Sequence, residues 1–267
     1  MLSKLIKHEF RATGRVMGPL YLVLAALAVC ANLAIRFLLH TDVWVLRLLG
    51  GLLMFAFSVA MIGVAIMAIV LMANRFRTNL MGDEGYVMFT LPASSHQLVW
   101  SKIIVSTVWF IATVLVELLG GLIASFELAD LKRMFAEIGY YAGRLFQEYS
   151  LNAPIMIVET IVLCLLGCVV ICLQFYAAMA TGHSFANHKT ILSVAFFFAF
   201  QFALQFLGGI AINIMEQTGF FRMDFWNMGA MKVFHIVMGL GILTCVIVGG
   251  IYYTITAIML KKHLNLQ

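Results

Sequence analysis

Long apolar runs separated by short polar segments set the pattern of this chain. Six runs, at 16–39, 48–73, 103–126, 153–181, 190–215 and 233–260, each reach the length of a membrane span. About 20 helical residues cross the roughly 30 Å hydrocarbon core of a bilayer. The pattern therefore predicts an all-α polytopic membrane protein with six transmembrane helices. The first run exceeds the length of a signal-peptide core and is followed by no small-residue cleavage site, so it is expected to remain a span.

Two segments outside the runs carry helical periodicity. In 1–15, Leu2, Leu5, Ile6, Phe10 and Thr13 share one face and Lys4, Lys7, His8, Arg11 and Arg15 the other, as an interfacial helix requires. In 128–149, Leu128, Leu131, Phe135, Ile138, Ala142, Leu145 and Tyr149 recur at steps of three and four with charges between them. That predicts an amphipathic helix about 33 Å long at about 1.5 Å per residue. It either rests on the membrane or on the chain's own spans, or offers a docking site for a partner or substrate.

Composition supports the same class. Of 267 residues, 63% are hydrophobic and 11% charged, where soluble domains carry about a quarter charged. Too few charges remain to cover a soluble surface, and a bilayer is the natural solvent. The net charge of +5 does not imply nucleic acid as a partner, because the charges flank the spans. Ten Lys and Arg lie in the N-terminal segment, the 74–102 loop, the 182–189 loop and the C-terminus, against seven in the other loops. This bias places both termini on the cytoplasmic side. Cys30, Cys164, Cys168, Cys172 and Cys245 all fall in apolar runs and are expected to be free thiols.

The loop between the second and third spans has the densest local signals. Gly82 and Gly85 bracket Asp83 and Glu84, an apolar run at 86–91 is too short to span, and Pro92 closes it. Ser94 and Gln97 have the spacing of a capping box that starts the next helix. An apolar hexapeptide between glycine and proline breaks should be buried, either on the ends of the chain's own helices or on a cytoplasmic partner.

At this loop the sequence resembles the permease subunits of ABC-2 type ABC transporters, in particular the six-span permeases of Gram-positive bacteria. Asp83-Glu84-Gly85-Tyr86 followed by Phe89-Thr90-Leu91-Pro92 carries the resemblance, supported by Lys7-His8-Glu9-Phe10 and the six-span layout. It implies a single transmembrane domain over 1–267, with 1–15 as a connecting elbow and 82–91 as a coupling segment. Asp83, Glu84, Tyr86, Met88 and Phe89 would contact cytoplasmic ABC ATPase subunits, with 182–189 as a smaller second contact. A second permease copy, or a related permease, would complete the transporter in a bacterial plasma membrane. The implied activity is export of an amphipathic or hydrophobic substrate such as a peptide, drug or lipid. The chain has no G-x-x-x-x-G-K-[ST] phosphate loop. ATP and Mg are accordingly expected on the partner, and no cofactor or catalytic residue on this chain.

Several polar residues fall inside the spans. Glu117 and Glu159 both lie in the outer halves of sequence-adjacent spans, where an ionisable group is a functional candidate and where a shared site is open to them; a protonated Glu hydrogen-bonded between helices is the other reading. Gln201, Gln205 and Asn213 share a side of the fifth span with Gly208 and Gly209. The resemblance makes that side a translocation-path candidate, and amide hydrogen bonds between helices are the other reading. Thr160, Cys164, Cys168 and Cys172, four apart, read as a close-approach row. His183 and His188 match no zinc spacing and are expected in a solvated loop. Membrane lipid is an implied partner. A membrane enzyme or a sensor subunit without a path is the competing class, although H-E-x-x-H and G-x-S-x-G are both absent.

Overall fold

The computed structural model describes residues 2–82, 84–90, 94–125, 128–149, 152–185, 187–219 and 229–262. They form α1 (Leu2–Leu33), α2 (Trp44–Met81), α3 (Glu84–Thr90), α4 (Ser95–Ala124), α5 (Leu128–Tyr149), α6 (Asn152–Gly182), α7 (Lys189–Gln217) and α8 (Ala230–Lys262), with no strand among the described residues. Six of these helices are long and apolar enough to cross a membrane. The fold is that of an all-α, multi-pass membrane protein.

Helix extents depart from the sequence reading where polar residues continue a helix. The interfacial segment 1–15 and the first span are one helix, α1, which ends in a π turn, Ala34–Leu38. The helix α2 has 38 residues, about 57 Å, so it outruns a hydrocarbon core of about 30 Å. Arg75, Arg77 and Asn79, read from sequence as loop, are helical.

The contacts divide the chain into two compact units. The first, Met1–Asn74 with Ile104–Glu148, has a core of Leu24, Ala28, Ala31, Phe57, Val64 and Ala124. The Phe57 ring packs beside Gly120 of α4, where a Cβ would meet it in ordinary van der Waals contact at 3.7 Å. A polar ladder joins α1 to α4. Trp109 Nε1 donates to Thr13 Oγ1 at 2.7 Å, Tyr21 OH and Thr113 Oγ1 are 2.8 Å apart, and Asn32 Nδ2 donates to the Ala124 carbonyl at 3.2 Å.

The second unit is Arg75–Ile103 with Tyr149–Gln267. Within it α6 packs along α7 and α8. Gly241 permits the approach, since a Cβ there would meet Leu163 at a tight 3.2 Å, whereas one on Gly249 would make ordinary contact with Val170 at 3.4 Å. All five cysteines are free thiols. The four-residue row on α6 is a close-approach face only at its far end, for Cys172 is buried while Thr160 and Cys164 are exposed.

Candidate functional site

The short helix α3 is strung between the ends of α2 and α4, and its position follows from how those ends are fixed. At the end of α2, Gly82 N–H donates to the Arg77 carbonyl at 3.0 Å, and Gly85 N–H donates to the Gly82 carbonyl at 2.8 Å. A Cβ on Gly82 would stand 3.0 Å from the Thr78 carbonyl oxygen, a tight contact that a larger residue relieves only by shifting the turn by a few tenths of an ångström. In α3, Glu84 and Thr90 are exposed, Met88 is half-buried and Gly85 is buried. Asp83, residues 91–93 and the side chains of Tyr86 and Phe89 lie outside the described residues. At the start of α4, Ser94 N–H donates to Gln97 Oε1 and Gln97 N–H donates to Ser94 Oγ, both at 3.3 Å. The capping box read from the sequence is thus formed.

At these ends the side chains of α2 and α4 form a platform whose parts all belong to the second unit. Phe76 and Tyr176 are fully buried and stack with centroids 4.0 Å apart and planes 7° from parallel. Such a pair contributes about 0.5–1.5 kcal/mol beyond its buried area. Asn79, with its amide turned so that Nδ2 faces acceptors, donates to the Arg75 carbonyl at 2.9 Å and accepts from Lys102 Nζ at 3.3 Å. Lys102 is only 3% exposed, and a buried ammonium requires such partners. His96 Nδ1 lies 2.6 Å from Tyr253 OH, joining α4 to α8.

The turn from α6 to α7 is tighter and drier than the sequence reading allowed. His188 is exposed, with a left-handed φ of 57°. His183 is buried instead of solvated: its Nδ1–H donates to the Met179 carbonyl at 2.9 Å, and Ser193 Oγ lies 3.3 Å from the same nitrogen. Burial holds the His183 imidazole below its ordinary pKa, with the charges of Lys189 and Arg77 acting in the same direction against the Met179 hydrogen bond. Gly182 allows the turn, because a Cβ there would overlap Ser193 Oγ, N and Cα. Among the described residues no three His, Cys, Asp or Glu side chains come together as a metal site requires.

The intramembrane acids fall in different units. Glu117, in the first, has a buried Oε1 that meets no hydrogen-bond partner among the described residues. Glu159, in the second, places Oε2 2.7 Å from His235 Nδ1 on α8. The sequence reading left a site shared by Glu117 and Glu159 open and did not name His235. A signal was present, since Glu159 lies seven residues into α6 and His235 five residues into α8. As the fourth and sixth of the six span-length helices, both are entered from the same side of a membrane, which gives the two side chains similar depth.

The path candidates on α7 divide in the same way. Gln201 Oε1 accepts from Gln174 Nε2 on α6 at 2.9 Å and so serves helix packing. Gln205 and Asn213 are exposed, and Asn213 Oδ1 accepts from Gln217 Nε2 at 2.8 Å. They share the exposed part of α7 with Phe198, Phe202 and Phe206. Between α7 and α8 is an apolar crevice of about 390 Å³, lined in part by Phe200, Leu204, Leu207, Ile251 and Tyr252. No protein-family model matches the chain, and neither a curated protein nor a solved structure matches it.

Proposed function

We propose that this chain is the permease subunit of an ATP-driven ABC-2 type transporter, pairing with a second permease and driven by separate cytoplasmic ABC ATPase subunits. The observation that carries the reading is α3: the Asp83-Glu84-Gly85-Tyr86 and Phe89-Thr90-Leu91-Pro92 stretch holds a seven-residue helix between two helices that outrun the bilayer. A partner that moves α3 pushes directly on α2 and α4. The Phe76–Tyr176 stack and the His96–Tyr253 contact pass that push to α6 and α8, because close-packed interiors transmit displacement instead of absorbing it. Asp83, Glu84, Tyr86, Met88 and Phe89 are the proposed ATPase contacts, and ATP with Mg is bound by the partner.

The exposed side of α7 supports the second permease copy. Gln205 and Asn213 amides facing hydrocarbon are unfavourable, and a facing subunit relieves this while enclosing a path with polar and aromatic walls. An amphipathic or hydrophobic export substrate fits such walls and the apolar crevice between α7 and α8. The reading puts the protein in a bacterial plasma membrane with both termini in the cytoplasm.

Affinity purification from native membranes in mild detergent tests the reading. A Walker-motif ATPase should accompany the chain and be lost when Tyr86 and Phe89 are both changed to Ala in a protein that still folds. Its absence with the unaltered chain, across several mild detergents, would overturn the proposal.

A further inference from the structure

The helix α5 presents an apolar side that no described residue of the first unit covers. At about 100° per residue, Phe135, Ile138, Ala142 and Phe146 fall in an arc of about 80°, with Arg133, Glu137 and Arg144 opposite. Phe135 is 62% exposed and Ile138 55% exposed, and a Cβ on Gly139 or Gly143 would meet nothing within 4 Å.

What covers this side follows from how α5 is tethered. α4 ends at Ala124 and α6 begins at Asn152, and each is a span-length apolar helix. Three residues separate α4 from α5 and two separate α5 from α6. At a reach of at most about 3.5 Å per residue step, neither end of α5 can stand more than about 14 Å from a span end. With both span ends at one membrane surface, the ends of a rod about 33 Å long tied in this way differ in height by at most about 25 Å, so it cannot stand upright and is tilted by less than about 50° from the membrane plane. Its apolar arc then meets either water or the bilayer, and burial in the bilayer is favourable by about 25 cal/mol per Å² of apolar surface.

We infer that α5 is an in-plane membrane helix, seated through Phe135, Ile138 and Phe146 in the leaflet opposite the side that carries α3. Its partner is a lipid surface. Formal charge does not draw it there, since Lys132, Arg133 and Arg144 are balanced by Asp130, Glu137 and Glu148. The seat is therefore apolar, and zwitterionic lipid suffices. This inference goes beyond the transport reading and does not depend on it.

Spin labels at Phe135→Cys, Ile138→Cys and Phe146→Cys, compared with Glu137→Cys and Arg144→Cys, test it in the full chain with its five native cysteines replaced and phosphatidylcholine vesicles as the probe. The first three labels should be open to oxygen and closed to a water-soluble nickel chelate, and the other two the reverse, unchanged when phosphatidylglycerol is added. Nickel access on both sides would overturn the inference by placing α5 in water. Exclusion of both reagents from the apolar side would overturn it in favour of a protein seated there. Protection that appears only with phosphatidylglycerol would overturn the apolar seat. Should the cysteine-free chain fail to fold, Phe135→Trp and Glu137→Trp in the native-cysteine chain give the same decision through quenching by brominated lipid: only the first should be quenched, and equal response of the two would refute the seat.

Discussion

The rings of Phe76 and Tyr176 lie 4.0 Å apart and within 7° of parallel, tying the last turns of α2 to the last turns of α6. Both are fully buried, so truncating either to Ala is expected to cost about 3–5 kcal/mol. A double-mutant cycle of Phe76→Ala and Tyr176→Ala, followed by thermal unfolding in detergent, should show a summed loss exceeding that of the double variant by about 0.5–1.5 kcal/mol. Strict additivity would mean that the two ends are held independently.

Gly182 makes a sharper test because the strain is steric. An Ala Cβ would overlap the backbone N and Cα of Ser193, which cannot swing aside as a side-chain tip can. Gly182→Ala should destabilise by about 1–3 kcal/mol as an overpacked site. Gly167→Ala, where a Cβ would meet nothing within 4 Å, should leave the unfolding temperature unchanged or slightly raised, since Ala favours the helix. Equal behaviour of the two variants would show that the α6–α7 turn relaxes freely.

The six spans were legible because composition and run length alone decide them, and the Ser94–Gln97 capping box because its chemistry is local. The platform at the ends of α2 and α4 was not. Arg75, Asn79 and Lys102 look like loop residues in sequence, and only tertiary contacts bury Asn79 and Lys102. His235 escaped for a related reason: its partner is 76 residues away, and a single imidazole in an apolar run leaves no periodic trace. Among the path candidates, the shared side of α7 was visible in the spacing of Gln201, Gln205 and Asn213, but Gln201 turned out to be bonded to Gln174. Sequence spacing fixes a helix face, and neighbours decide which part of that face is covered.

His183 carries a pH dependence whose sign follows from burial. Its folded pKa is lowered from the ordinary 6.5, so below that pH the unfolded chain takes up a proton that the folded chain resists. Stability attributable to the neutral imidazole is fully present above about pH 6.5 and is lost as the pH falls toward the folded pKa. The unfolding temperature should therefore drop as the pH is lowered from 7 through the region just below 6.5. His183→Asn keeps an N–H for the Met179 carbonyl and removes the titration, so it should flatten that part of the profile. An unchanged profile would assign the acid sensitivity to other groups.

Glu159 and His235 allow charge to be separated from helix adhesion. With Oε2 and Nδ1 2.7 Å apart and both side chains partly exposed, at 23% and 28%, the pair is neither a dry buried bridge nor a freely solvated one. Glu159→Gln keeps the volume and an oxygen that can accept from His235 Nδ1–H, while removing the carboxylate. If the carboxylate serves transport, this variant assembles normally, unfolds near the native temperature, and loses about tenfold in substrate-stimulated ATP hydrolysis of the reconstituted complex, equivalent to about 1.4 kcal/mol. Glu159→Ala removes the acceptor as well and should lower stability by about 1–3 kcal/mol, because His235 is left facing an apolar helix. His235→Ala should match Glu159→Gln in hydrolysis if the two act as one unit. Normal hydrolysis by a well-assembled Glu159→Gln variant would take the charge out of the mechanism and leave the pair as a link between α6 and α8.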